Sequence, residues 1–229
     1  MKNKINLIPK VILILSIPIF LLLTTFQLVV FDMDYFEKKY QQYNITQVTG
    51  MDEESLMTVT EELLNYLEGE REDIVLKEKI NGEERQVFRE RELLHLKDVQ
   101  VLFDKGFLIR NVSLILILIS LFWLFIFERN KIPKTFILSS LVTIITMIVF
   151  VVLISIDFYK YFTYFHEILF TNDLWLLNPK TEVLIQMYPL DFFNSISMKI
   201  IMFFVAELII LFILGILGNK FMKKRRMMF

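Results

Sequence analysis

His95 and His166 are the only histidines in a chain of 229 residues that contains no cysteine. An imidazole titrates near neutral pH, so it can take up a proton in one step and return it in the next. His95 begins the string His95-Leu96-Lys97-Asp98, and on a helix Asp98 stands one turn away on the same stripe. His166 is followed by Glu167 and then by Asn172-Asp173-Leu174-Trp175. Other chemistries find less support. Without cysteine there is no disulfide, thiolate metal site, cysteine nucleophile or lipobox attachment point. There is no G-x-S-x-G elbow for a serine nucleophile and no glycine-rich phosphate loop. The two histidines with Asp98 and Asp173 could ligate zinc, but no H-E-x-x-H or comparable spacing is present, so neither a metal nor a cofactor is expected.

The elements that must position these residues are mostly membrane spans. Hydrophobic residues make up 55% of the chain, and the mean hydropathy of +0.53 does not suit a soluble domain. Val11 to Phe31 and Thr135 to Ile156 are uncharged runs of 21 and 22 residues. Val112 to Phe127 adds 16, extended by Gly106 to Asn111, where only Arg110 is charged. Ile200 to Asn219 adds 20, interrupted only by Glu207. Each reaches roughly 30 Å as a helix, the thickness of a hydrocarbon core. The first run starts with Lys2 and Lys4 as a signal peptide would. It is too long for an h-region, however, and Phe31-Asp32-Met33-Asp34 offers no small-residue cleavage site, so a retained anchor is expected.

Charge orients the spans. Segments 1–10, 128–134 and 220–229 must share a side, and together carry eleven basic residues against one acidic residue, Glu128. Segment 32–107 carries 10 basic and 19 acidic residues, and 158–197 carries 2 and 4. The positive-inside rule therefore predicts cytoplasmic termini and two extracytoplasmic segments. The tail Lys223-Lys224-Arg225-Arg226 reads most simply as a topology anchor against anionic headgroups. The expected fold is an α-helical integral membrane protein. Its transmembrane helices occupy 1–31 (with the cytoplasmic N-terminus), 108–127, 135–157 and 198–219. A small α+β extracytoplasmic domain at 32–107 follows the first, and a cytoplasmic loop at 128–134 follows the second. An interfacial outer loop spans 158–197, and the basic tail spans 220–229.

Within segment 32–107, Asp52 precedes Glu53 to Glu70, where Leu56, Val59, Leu63 and Leu67 recur at helical spacing. Asn81-Gly82 between Ile74–Ile80 and Arg85–Phe88 predicts a two-residue hairpin turn. Glu90 to Phe103 is read as helix. Segment 158–197 is rich in Phe, Tyr and Trp, as an aromatic belt at the headgroup level would be, and is expected to lie in the interface and roof a cavity.

Both histidines thus fall in outer segments, each close to a span, where acyl transfer on a lipid ester would need proton carriers. Composition alone leaves a second reading open, in which interfacial histidines only hydrogen-bond headgroups. Glu207, a carboxylate in mid-span, is expected to face the bundle interior, neutral or paired.

The strings around the histidines carry a resemblance. His95-Leu96-Lys97-Asp98-Val99-Gln100-Val101-Leu102-Phe103 is the first. The second runs Phe165-His166-Glu167-Ile168-Leu169-Phe170-Thr171-Asn172-Asp173-Leu174-Trp175-Leu176-Leu177-Asn178-Pro179 and continues through Leu184-Ile185 to Pro189 and Phe192-Phe193. They resemble the signatures of the bacterial lipoprotein intramolecular transacylase family, Lit, four-span membrane proteins of low-GC Gram-positive bacteria. The resemblance implies transfer of the sn-2 acyl chain of a diacylglyceryl-modified lipoprotein to the α-amine of its own N-terminal cysteine, giving lyso-form lipoprotein. It implies that His95 and His166 are catalytic, with Asp98, Asn172, Asp173 and Trp175 supporting or orienting them. The expected partners are that lipoprotein and bilayer lipids, with no nucleic acid. The site is expected at the outer leaflet of a Gram-positive-type cell membrane. Two rivals stand beside this reading: a non-enzymatic lipid-binding scaffold, and an acyltransferase or esterase that works between separate molecules.

Overall fold

The computed structural model describes residues 7–227; Lys2 and Lys4, and the side chain of Arg226, lie outside the described residues. The chain divides into two compact units. The first comprises the described parts of Met1–Gln27, Phe107–Ile156 and Met198–Phe229, and the second Leu28–Gly106 with Asp157–Ser197.

Four helices are long and apolar enough to cross a membrane. They are α1 (Leu7–Val30), α5 (Glu90–Glu128), α6 (Ile132–Ile156) and α9 (Leu190–Met227). A single 3₁₀ turn, Arg129–Lys131, joins α5 to α6. Only 17–22% of each apolar stretch is buried, so most apolar side chains of the first unit face outward, as lipid-facing helices require. Inside that unit Leu13, Ile17, Ile117 and Leu124 pack together with Phe20, Phe136 and Leu211 around them. Polar contacts and small residues hold the helices where hydrophobicity cannot distinguish neighbour from lipid. Thr25 donates from Oγ1 to Glu207 Oε2 at 2.8 Å, which pairs the mid-span carboxylate inside the unit. Ser139 Oγ donates to the Ile14 carbonyl at 3.0 Å. Gly215 lies so close to α6 that a Cβ there would stand 2.9 Å from the Pro133 carbonyl oxygen.

At 1.5 Å per residue, α5 is about 58 Å long, nearly twice a hydrocarbon core. The helix expected over 90–103 and the second expected span are therefore one uninterrupted helix, because nothing between Glu90 and Phe127 stops it except the tolerated Gly106. The uncharged stretch is the part fit to span, and the first seventeen residues, Glu90–Gly106, belong to the second unit.

That second unit also holds α2 (Met33–Gln42), α3 (Ile45–Thr49), α4 (Glu53–Glu68), β1 (Lys77–Ile80), β2 (Glu83–Gln86), α7 (Phe158–Leu169) and α8 (Val183–Met187). Helix α4 starts where Asp52 accepts the Ser55 N–H at 2.8 Å, and it buries Leu56, Val59, Leu63 and Leu67 as their spacing predicts. The hairpin pairs Ile80 with Glu83 around Asn81 and Gly82, whose φ values of 55° and 84° are those of a type I′ turn. β1 is shorter than the expected Ile74–Ile80, and β2 has the expected length but starts two residues nearer the turn than Arg85–Phe88. Tyr40, Phe36, Tyr188 and Phe192 form an aromatic core, in which the Tyr40 hydroxyl lies 2.5 Å from Thr60 Oγ1. Segment 158–197, expected as an aromatic-rich interfacial loop, contains α7, α8 and the start of α9. Asp157 caps α7 by accepting the Lys160 N–H at 3.0 Å.

Candidate active site

His95 stands on α5 and His166 on α7, and the second unit brings their rings to 6.4 Å between centroids. The two residues are far apart in sequence, yet both side chains are buried, at 7% and 8% exposure. Phe170 touches both rings, 5.3 Å from His95 and 5.7 Å from His166. Trp175 stacks on His166 at 4.9 Å and 29°, and Phe162 lies 4.3 Å away within α7. The aromatic enrichment of 158–197 therefore builds part of an apolar wall around two imidazoles.

Electrostatics follow from that wall. Burial foremost, then the charge of nearby His166, pushes the His95 imidazole down to about 4, against the opposing pull of Asp98. Burial also lowers His166, opposed by its bond to the Phe162 carbonyl. Both rings are thus neutral near pH 7. His166 Nδ1 lies 2.7 Å from the Phe162 carbonyl oxygen. A carbonyl has no proton to give, so Nδ1 carries the hydrogen and Nε2 keeps a lone pair. His95 Nδ1 is buried with no hydrogen-bond partner among the described residues. Neither ring is held by a carboxylate hydrogen bond among the described residues.

Asp98 serves differently, accepting from Asn172 Nδ2 at 2.8 Å. Asn172 Oδ1 in turn accepts the Leu174 N–H at 3.1 Å, and the Asn172 carbonyl accepts Trp175 Nε1–H at 3.1 Å. Asp173 is exposed, with its carboxylate 4.0 Å from Arg91 and its carbonyl accepting from the same guanidinium. The Leu174 carbonyl lies 3.5 Å from Arg91 Nε. Arg91, His95 and Asp98 fall on one face of α5, so two side chains flanking the histidine grip the turn that lays Trp175 on the other histidine. Among the described residues no group of three or more His, Cys, Asp or Glu is arranged to hold a metal ion.

Two contributors escape a reading of the sequence. Arg91 belongs to the charge run Arg89-Glu90-Arg91-Glu92, which has the look of a solvated helix start. Glu92 in that run is fully buried and accepts the N–H groups of Arg89 and Leu184 at 2.8 and 2.7 Å. Its only local signal is its place three residues after Arg89, the position of a capping-box glutamate.

Arg91→Ala is expected to free the 172–175 turn while leaving the protein folded. In a Trp123→Phe background the Trp175 emission should shift to the red. Arg91→Lys, with a single donor group, should recover part of the native emission. An unchanged emission spectrum would show that the guanidinium does not hold the turn.

Comparison with known proteins identifies the family and the fold. The family model for lipoprotein intramolecular transacylase Lit matches residues 11–193. The crystallised membrane integral Lit of Bacillus cereus superposes with a TM-score of 0.84 at 22% identity, over 98% of this chain and 99% of that one. A variant of the same protein with histidine replaced by arginine gives 0.79 at 21% identity, covering 100% and 96%. Another, with histidine replaced by alanine, gives 0.78 at 21%, covering 99% and 97%. No curated protein matches the chain.

Proposed function

Because the chain belongs to the lipoprotein intramolecular transacylase family, an acyltransferase family of multi-pass membrane proteins, we propose that it moves the sn-2 acyl chain of a diacylglyceryl-modified lipoprotein to the α-amine of that lipoprotein's N-terminal cysteine. The observation that carries this reading is the pair of buried neutral imidazoles 6.4 Å apart. Donor ester and acceptor amine are parts of one molecule, so tethering supplies the proximity and no acyl-enzyme is required. The absence of cysteine and of a serine elbow is consistent with such a route.

The neutral α-amine attacks the ester carbonyl carbon, forming the C–N bond and an oxyanion. One imidazole takes the proton released by nitrogen. As the carbonyl reforms, the C–O bond to the sn-2 oxygen breaks, and an imidazolium returns a proton to that oxygen. Both rings begin and end neutral. A depressed pKa makes each a weaker base but its imidazolium a stronger acid, which suits return of the proton to an alkoxide. His95 and His166 share these tasks, and Asp98, Asn172, Asp173 and Trp175 hold the surroundings of His166.

In the same reading, both termini are cytoplasmic, segments 32–107 and 158–197 lie outside, and the reaction runs at the outer leaflet of a Gram-positive-type cell. The eleven-to-one basic excess of the opposite segments supports that orientation. Bilayer lipids and the lipoprotein are the partners.

Mass spectrometry of a synthetic diacyl-lipopeptide incubated with the purified chain tests the proposal. The expected product has unchanged mass, an amide-linked acyl chain and a free sn-2 hydroxyl. Acyl transfer from added phospholipid instead would overturn the intramolecular route. The pH profile adds a check with a defined sign. His95 stays neutral down to about pH 4, so the acid limb of the rate belongs to the substrate amine, with a break at roughly 7.7–8.0. A substrate with a hydroxyl nucleophile in place of the amine should remove that break and flatten the profile between about pH 7 and 8.

A further inference from the structure

A groove of about 850 Å³ opens at the end of the first unit where α5, the 3₁₀ turn and the last turns of α9 meet. One wall is apolar: Phe125 and Phe127 are 66% and 57% exposed, with Met222 on the facing helix. The rim carries Arg129 and Arg225. Both are exposed, and among the described residues neither guanidinium has a hydrogen-bond or ion-pair partner. Glu128 also lines the groove, but its carboxylate is already paired with Lys10 of α1. The open positive charge is therefore that of two arginines, at the ends of two spans, directly above an apolar surface.

That combination selects its ligand. A guanidinium pairs bidentately with phosphate oxygens, and two of them facing one groove favour a phosphodiester over a zwitterion whose own ammonium they would repel. The exposed phenyl rings offer acyl-chain contact that a free anion cannot use. Basic pockets between transmembrane helices hold anionic headgroups by the same electrostatics. We propose that this groove is a binding site for one anionic glycerophospholipid, its phosphate between Arg129 and Arg225 and its acyl chains along Phe125 and Phe127. The site is built on the spans and is independent of the histidine pair. It makes Arg225 a lipid ligand rather than one more interchangeable charge of the basic tail.

The test uses the full chain in an uncharged detergent, titrated with phosphatidylglycerol or with phosphatidylcholine of equal chain length, and native mass spectrometry to count bound lipid. At about fivefold per basic group near an anionic lipid, the pair should favour the first phosphatidylglycerol roughly 25-fold. Arg129→Gln with Arg225→Gln should abolish the preference. Lys223→Gln with Lys224→Gln removes the same charge and should leave the preference within about twofold. Equal loss in both double variants would overturn the site in favour of diffuse attraction. Displacement of the bound lipid by millimolar inorganic phosphate would overturn it in favour of a free-anion site.

Discussion

Replacement of His95 or of His166 by alanine is expected to lower formation of the N-acylated, lyso-form product by about 10²–10⁴-fold, the range a positioned proton carrier contributes. Among the described residues no carboxylate is hydrogen-bonded to either ring, so the proton work falls on the imidazoles. His166 donates from Nδ1 to the Phe162 carbonyl, leaving Nε2 as its basic atom. His166→Asn therefore separates the roles: an asparagine amide can keep a bond to that carbonyl but cannot carry a proton. It should fold as the native chain does and be as inactive as His166→Ala. Among the described residues His95 Nδ1 has no such bond to lose, so His95→Gln should be structurally mild and equally inactive. Membrane abundance and thermal midpoint of each variant, measured beside product mass, decide between chemistry and folding. Retained product with both histidines replaced would refute the proton-transfer role.

How much of this can be read in the sequence depends on how local each cause is. The α4 stripe and the Asn81-Gly82 turn are decided within a few residues, by helical spacing and by the positive φ that a type I′ turn demands. Both are legible. The span lengths are legible too, since hydrocarbon thickness sets them. Continuity is not. Charges in Glu90–Gly106 and their near absence afterwards suggest two elements, whereas a helix is indifferent to that change if no residue breaks it. Helix α7 is hidden for another reason. Its apolar stripe, Phe158, Phe162, Phe165 and Leu169 opposite Lys160, Thr163 and Glu167, is only three turns long, and a belt at the headgroup level explains the same composition.

The histidines are visible because they are rare, and Asp98 and the 172–175 turn because they sit beside them. Their contacts are not, because they join α5 to a turn 74 to 83 positions later. Arg91 and Glu92 show the limit most sharply. A run of alternating charges at a helix start usually faces water, yet here one member reaches across to two carbonyls and the next is buried completely. Pairing of Glu207 follows from its place in a span, but its donor Thr25 lies 182 positions away and can be found only in three dimensions.

Glu92 leads to the second large effect. Its carboxylate is buried and accepts two backbone N–H groups, one at the start of its own helix and one from Leu184 in α8. Burial raises its pKa, helped by the charge of Glu182, while the two N–H bonds work against the rise. The sign is that of a group whose folded pKa lies above its unfolded one: its contribution is fully present below the unfolded value and is lost as pH rises through the folded value. Burial therefore disfavours the ionised form, and the two N–H bonds offset part of that cost. Removing the carboxylate leaves the buried Leu184 N–H unpaired at about 1–3 kcal/mol and the part-buried Arg89 N–H at less, so Glu92→Ala should destabilise the chain by about 2–4 kcal/mol. Glu92→Gln is neutral and keeps one acceptor, and should lose about half as much. Hydrogen exchange on the full chain in detergent gives the specific readout, with protection falling at Leu184 and Arg89 in the alanine variant. Unchanged exchange at both amides would show that this carboxylate does not tie α8 to the helix that carries His95.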